Sequence, residues 1–262
     1  MAIFLSMAGT LTFLGTGGSF GVPIIGCACP SCVSDDSRDR RLRASVHVRR
    51  DGGSVLVDAG PDLRQQALRA GMTSIDEVWL THDHADHTNG VDDLRVYCSG
   101  GRRLLVRGSE STLQETVRRF RYAFRSDIDP SGISHPLLVA TQLDGAFEFG
   151  GGQVVPLPAW HGPFPVTGYR IGNIAYLTDV STIPDETFSL LEGLEILVLS
   201  ALREEPHPTH LSFDQAIDVA RKVGAGRTWF THFAHGLTHR QLEQRFPAGM
   251  RPAYDGLEIE FD

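Results

Sequence analysis

Apolar positions in the first half of the chain fall into short runs: "TLTFLG", "ASVHVRR", "SVLVDAG", "EVWLTH" and "RLLVRG". Runs of four to eight residues rich in Val, Leu and Phe and bounded by Gly or Asp predict strands. Between them, "PDLRQQALRAG" has helical spacing, with Pro61 expected in its first turn and Gly71 closing it. A second helical pattern, "SESTLQETVRRFRYAF", opens on a Ser cap and is expected to run to Phe124. The second half continues with "AFEFGGGQVVPLPAWH", "VTGYRIGNIAYLTDV", a helix over 184–192 and "EILVLSAL". A helix over 212–223, the run "RTWFTHF", a helix over 238–246 and a last strand near "LEIEF" complete it. Strands in runs with helices between them predict a layered α/β domain. "RIGNIA" has the turn chemistry of a hairpin, so part of each sheet is expected to be antiparallel. No internal repeat or linker divides residues 1–262, which read as one domain.

Composition changes this picture little. The 262 residues are 41% apolar and 21% charged, ordinary values for a soluble protein. No apolar run approaches the ~20 residues of a membrane span. The opening "MAIFLSMAGTLTFLG" lacks a basic region and runs into a strand pattern, so we expect a cytoplasmic protein without a signal peptide. Met7 is an alternative start. A net charge of −8 argues against extensive nucleic-acid binding, but not against a small phosphorylated substrate, since a local cation can reverse the sign inside a cleft. The chain is compatible with a homodimer.

Chemistry changes it more. "THDHADH" places His82, His84, Asp86 and His87 directly after the strand "EVWL". Three imidazoles and a carboxylate so close suit a divalent ion such as Zn²⁺, with Mn²⁺ and Fe²⁺ also matching the donors. Three further candidates each end an apolar run: His161 in "PAWH", Asp179 in "AYLTD" and His232 in "RTWFTH". Together these are five His and two Asp, enough for two ions of three ligands each and one shared carboxylate. A second cluster, "GCACPSC", gathers Cys27, Cys29 and Cys32 at a spacing good for Zn²⁺, and a closed site requires a fourth donor. Cys98 stands alone and reads as a buried small hydrophobe. His232 and His235 lie three apart; on a helix they would share a face and could hold one ion, or they could serve two.

The set "THDHADH", His161, Asp179 and His232 resembles the metallo-β-lactamase superfamily over essentially the whole chain. That resemblance implies a four-layer αββα sandwich with a dinuclear site at the sheet edges. His82, His84 and His161 would hold one divalent ion, Asp86, His87 and His232 the other, and Asp179 would bridge them. The redox branch of the superfamily usually has Glu at the position of His84, so the resemblance implies a hydrolase, with Asp86 among its catalytic residues. "LGTGGSFGVPIIGCACPSC" is similar to the PhnP-like phosphodiesterases, which implies a structural Zn²⁺ in a loop around 17–45. Its ligands would be Cys27, Cys29, Cys32 and His235, leaving His232 to the catalytic pair. "GPDLRQQ" also resembles PqqB-type proteins, which share the Cys motif but lack the full His run.

The PhnP-like family carries a His before a similar helix, where it contacts phosphate and can protonate the leaving group. His210, next to the helix starting at Ser212, fits that place better than His207. The expected activity is hydrolysis of a small, cyclic phosphodiester using two Zn²⁺ or Mn²⁺ ions. The rivals are a thioester, lactam or lactone hydrolase, a tRNA-processing nuclease, and a non-catalytic PqqB-like ligand carrier. Arg118, Arg119, Arg121 and Arg125, interleaved with aromatics in "VRRFRYAFRSD", either form a lid over substrate or favour a helix C-terminus. Asp92 or Asp93 is expected to support a metal ligand from behind. The glycines of "LGTGGSFG" are expected to let the chain pass close under the metals.

Overall fold

The computed structural model describes residues 9–125 and 135–262; the alternative start at Met7 and the last two residues of "VRRFRYAFRSD" lie outside the described residues. The first half contains β1 (Gly9–Gly15), β2 (Ser45–Arg50), β3 (Gly53–Val57), α1 (Leu63–Arg69), β4 (Glu77–Trp79) and α2 (Ala85–Thr88). A 3₁₀ segment, Val91–Gly101, leads to β5 (Leu104–Gly108), α3 (Glu110–Arg119) and β6 (Leu138–Gln142). Then come β7 (Phe147–Phe149), β8 (Gly152–His161), β9 (Phe164–Ile171), β10 (Ile174–Leu177), α4 (Asp185–Leu190) and β11 (Ile196–Ser200). The chain finishes with α5 (Phe213–Val223), β12 (Arg227–Thr231), α6 (His239–Arg245), β13 (Met250–Pro252) and β14 (Glu258–Phe261).

These strands make two seven-stranded sheets, ordered β14-β1-β2-β3-β4-β5-β6 and β13-β12-β11-β10-β9-β8-β7. Each sheet is antiparallel on one side and parallel on the other, as the "RIGNIA" turn predicts; β9 and β10 pair antiparallel across Gly172, whose φ is 58°. The period of two sorts side chains between three cores. In β10, Ile174 and Tyr176 enter the core between the sheets, while Ala175 and Leu177 pack with Phe213, Ala216 and Ile217 of α5. On the other sheet, Leu56, Val78 and Val106 pack outward with Leu63 and Leu113 of α1 and α3. The result is the expected αββα sandwich. Both faces of the central parallel strands are covered, which is why they read as continuous apolar runs. Trp79 lies edge-on to Phe147 and Phe149 at 5.1–5.2 Å, tying the two sheets together beneath the site. Each such ring pair adds about 0.5–1.5 kcal/mol beyond burial.

Helix ends differ from the sequence pattern in two places. Helix α1 begins at Leu63, two residues after Pro61, with Asp62 at the cap. Helix α3 is capped by Ser109, whose hydroxyl accepts from Thr112 N, and stops at Arg119 instead of Phe124. Phe120 leaves helical geometry and a 3₁₀ turn, Arg121–Phe124, buries Ala123. Helix α5 has the full capping box of Ser212 and Gln215 and ends on left-handed Gly224. Among the described residues, no helix is long and apolar enough to cross a membrane.

Candidate metal centre

Every histidine and aspartate of the predicted set lies at the end of a strand or just beyond one, on the same edge of the sandwich. The loop after β4 is fixed from both sheets. Tyr169 Oη donates to Leu80 O at 2.8 Å, and Thr167 N donates to Thr81 O at 2.9 Å. Thr81 N donates to Asp58 Oδ1 at 2.8 Å. His82 and His84 follow with ring centroids 4.6 Å apart, and α2 then turns Asp86 and His87 towards the same space. Helix α2 can sit there because of glycines: a Cβ on Gly60 would lie 2.1 Å from Asp86 O. His161 is the last residue of β8, Asp179 lies two residues past β10, and His232 directly follows β12.

The donor atoms form two groups, His82–His84–His161 and Asp86–His87–Asp179–His232, each within 4.8 Å. Asp179 spans them. Its carboxylate oxygens lie 3.1 Å from His232 Nε2, 3.4 Å from His87 Nε2 and 3.8 Å from His82 Nε2. All four residues are essentially sealed from solvent. The Nε2 atoms of His82, His87 and His232 nevertheless make no hydrogen bond. Buried polar atoms left without a partner normally cost free energy. Their aim at a common space with carboxylates is what a divalent cation would satisfy, so these residues fit the implied ions. Charge agrees: Asp58, Asp86 and Asp179 all face the cluster. Against the opposing effect of burial, Asp179, Asp58 and Asp86 raise the His87 imidazole well above its ordinary range. Burial pushes Asp179 up, but His232 and His87 hold it well below the usual carboxylate range.

The Nδ1 atoms of His82, His87 and His161 are orientated by protein groups, whereas His232 Nδ1 is buried without a partner. His87 Nδ1–H donates to Asp58 at 2.7 Å, His161 Nδ1–H donates to Thr209 O at 2.6 Å, and Thr81 Oγ1 lies 2.9 Å from His82 Nδ1. Such partners fix tautomer and aim. The expected support from Asp92 or Asp93 is not found. Asp92 accepts from Tyr122 Oη at 2.6 Å and pairs with Arg95 on the surface, and the buried carboxylate against a candidate ligand is Asp58. Sequence reading missed Asp58, although "SVLVDAG" ends a strand on Asp just as "AYLTD" does.

Three residues here hold left-handed backbone without being glycine: Asp58, Asp179 and His232, with φ of 64°, 56° and 61°. This conformation costs roughly 1–3 kcal/mol each and concentrates at functional sites. The segment after His232 is irregular, so the helical spacing considered for His232 and His235 does not apply. Instead Phe233 forms an isolated parallel bridge with Gly17, with hydrogen bonds from Gly18 N to Phe233 O and from Phe233 N to Thr16 O, both 2.9 Å. As expected for the glycine-rich stretch, Gly18 passes closely; its Cβ would sit 3.3 Å from His232 Cε1. His235 thereby faces away, with Nδ1 at 3.3, 3.4 and 3.9 Å from the sulfurs of Cys27, Cys29 and Cys32. Those four donors, with Cys32 buried, Cys27 and Cys29 half-buried and His235 exposed, form a separate group that fits one Zn²⁺. Cys98 is buried alone.

His210 is buried, with its ring 4.4 Å from His161 and 5.0 Å from His232. It also falls within donor range of His161 and Asp179. Burial, then the neighbouring His232, push it down to about 3. His207 lies 5.1 Å further out. The arginine segment is tied down: Arg119 pairs at 2.7 Å with Asp83, the residue between His82 and His84, and Arg118 pairs with Glu115.

Comparison with known proteins agrees with this architecture. Residues 54–233 match the family model of the β-lactamase superfamily domain. A crystal structure of a new diphosphatase from the PhnP family superposes with a TM-score of 0.89 at 43% identity, covering 97% of this chain and 98% of that one. An octanoyltransferase from Porphyromonas gingivalis is 38% identical across 95% of this chain, which spans only 51% of that relative's length. A ribonuclease Z from Mycobacterium sp. (strain KMS) is 28% identical over 225 residues, 74% of this chain and 79% of that protein. The matched segment takes in strands of both sheets and all seven clustered His and Asp donors, with His232 next to its last residue; the chain belongs to the metallo-β-lactamase superfamily.

Proposed function

We propose that the chain is a divalent-metal-dependent hydrolase of small phosphodiesters, cyclic ones foremost. The observation that supports this best is Asp179, within 3.8 Å of imidazoles from both donor groups. In this reading His82, His84 and His161 hold one Zn²⁺ or Mn²⁺ ion, Asp86, His87 and His232 the other, and Asp179 is shared. Bound ions would supply Lewis-acid charge to the phosphoryl oxygens and acidify the water they bind. The protein's own part is to orientate and to move a proton. Asp58 and Thr209 keep His87 and His161 aimed inward, and burial excludes competing water. His210, beside both donor groups, would carry the proton to the departing alkoxide, a step worth ~10²–10⁴ in rate. An imidazole held neutral by burial takes up that proton more readily once an anionic phosphate lies beside it. Cys27, Cys29, Cys32 and His235 would hold a structural Zn²⁺ that adds folding free energy.

A second reading is hydrolysis of a diphosphate, favoured by the 43% identity to the PhnP-family diphosphatase. The test is a turnover screen of the metal-loaded protein. It sets 2′,3′-cyclic and linear phosphodiesters beside a nucleoside diphosphate, a thioester and a β-lactam. Fastest turnover of a phosphodiester is expected. Fastest cleavage of the diphosphate would transfer the site to the second reading, and exclusive thioester or lactam cleavage would overturn both.

A further inference from the structure

The three imidazoles of the first donor group are not held alike. His82 Nδ1 lies 2.9 Å from Thr81 Oγ1, and His161 Nδ1 meets Thr209 O at 2.6 Å. Among the described residues, no hydrogen bond reaches the ring of His84. Its neighbours are other rings, with centroids at 4.6 Å for His82, 5.0 Å for His161 and 5.9 Å for Phe164. His84 is also only half-buried, so packing restrains it less than its partners. A ligand needs a fixed aim, and here the ring itself has no polar tether.

The backbone supplies one. Arg119, the last residue of α3, grips Asp83 at two points: Nη2 donates to Asp83 Oδ2 at 2.7 Å, and Nη1 donates to Asp83 O. That carbonyl belongs to the planar peptide joining Asp83 to His84, so holding its oxygen sets the direction in which His84 leaves the chain. Thr88 Oγ1 donates to the same oxygen at 3.3 Å and to His84 O at 2.9 Å, pinning the peptides on both sides of His84. The end of α3 is anchored in turn, since Tyr122 Oη donates to Asp92 Oδ1 at 2.6 Å and Ala123 is buried. The Arg119 and Asp83 side chains are 33% and 32% exposed, so their charge attraction alone contributes little. What the guanidinium adds is its rigid fork, which a lysine cannot reproduce.

We propose that Arg119 is a positioning residue for His84: by holding the Asp83–His84 peptide it aims that imidazole into the donor group, the task a ring hydrogen bond performs at His82 and His161. The proposal rests on the reading of His82, His84 and His161 as ligands of one ion. With two nitrogens engaged at Asp83, the guanidinium acts on the ligand loop and not as a lid over substrate.

The test is Mn²⁺ binding to the whole chain after removal of exchangeable metal, measured by calorimetry against a competing chelator. In Arg119→Ala, one of the two ions should bind about 10–100-fold more weakly, the loss typical of an outer partner, while the other ion and the melting temperature stay as in wild type. Arg119→Lys should resemble Arg119→Ala, because it keeps the charge and loses the fork. Asp83→Ala should lose part of the same affinity, and adding it to Arg119→Ala should change nothing further beyond about twofold. Unchanged affinity in Arg119→Ala, full recovery in Arg119→Lys, or losses that multiply in the double variant would each overturn the positioning role alone. If the wild type binds neither Mn²⁺ nor Zn²⁺ at this centre, the reading of the donors as a metal site fails, and the role of Arg119 with it.

Discussion

The two donor clusters share one short stretch of chain, from His232 to His235, and are built in opposite ways. The His/Asp cluster is set deep at the sandwich edge: His87, Asp179 and His232 are at most 1% exposed, His84 and Asp86 are half-buried, and strand ends from both sheets frame it. The Cys/His cluster joins two loops without regular structure, with His235 exposed, Cys27 and Cys29 half-buried and Cys32 buried. In the first, the fold dictates donor positions whether or not an ion is bound. In the second, the Cys loop is held by its own turns, Cys27 N to Ile24 O and Cys32 N to Cys29 O, both 3.0 Å, and is joined to the His235 segment by Gly236 N donating to Ser31 Oγ at 2.8 Å; an ion would tie the two loops together directly. In the proposed reading, the first is a site that the fold makes and the second a site that would help make the fold.

That contrast can be broken most sharply at Asp179. Asp179→Asn keeps the left-handed backbone, which Asn tolerates, but removes the charge facing both donor groups. Turnover should fall by more than the ~100-fold typical of losing an outer partner, with the melting temperature nearly unchanged. Activity retained within tenfold would remove the shared carboxylate from the scheme.

His210→Ala should be next. Esters with poor alkoxide leaving groups should slow by ~10²–10⁴, while a nitrophenyl ester, which needs no proton to depart, should slow far less. Equal losses on both, read from kcat, would reassign His210 from proton donor to ligand. Asp58→Asn should then lower metal affinity or activity by about 10–100-fold, since His87 loses its charged partner but keeps a hydrogen-bond acceptor.

The smallest effect on chemistry, and the largest on stability, belongs to the exposed cluster. His235→Ala should release one zinc by elemental analysis and lower the melting temperature by more than about 4 °C, taking roughly 2–4 °C per kcal/mol for a chain of this size. The folded fraction should still turn over substrate. His232→Ala should do the reverse, and identical behaviour of the two variants would dissolve the distinction between the clusters.

Much of this was legible in the sequence because the chemistry is either local or marked by strand ends. "THDHADH" and "GCACPSC" are contiguous, and His161, Asp179 and His232 each stop an apolar run. What stayed hidden depends on adjacency across strands. Asp58 meets His87, 29 residues further along the chain, only because β3 and β4 pair in parallel and bring the end of β3 beside the segment that follows β4. Thr209 acts through a backbone carbonyl, which carries no residue signature at all. The expected helix at 120–124 gives way to a 3₁₀ turn, in which Ala123 enters the core beside Leu104, Val106 and Leu138 of β5 and β6 while Phe120 and Phe124 pack against it. Asp92 misled because it lies close in sequence to the histidines, whereas support came from the neighbouring strand.

The left-handed backbone at Asp58, Asp179 and His232 has a consequence for anyone redesigning this scaffold. At positive φ, Gly, Asn and Asp are tolerated best, and β-branched side chains are penalised most. A combinatorial library that samples all amino acids at these positions would therefore spend much of its diversity on chains that must deform before any new chemistry is tried. Varying His84 and His161 leaves those three turns intact and offers the freer route to a different donor set.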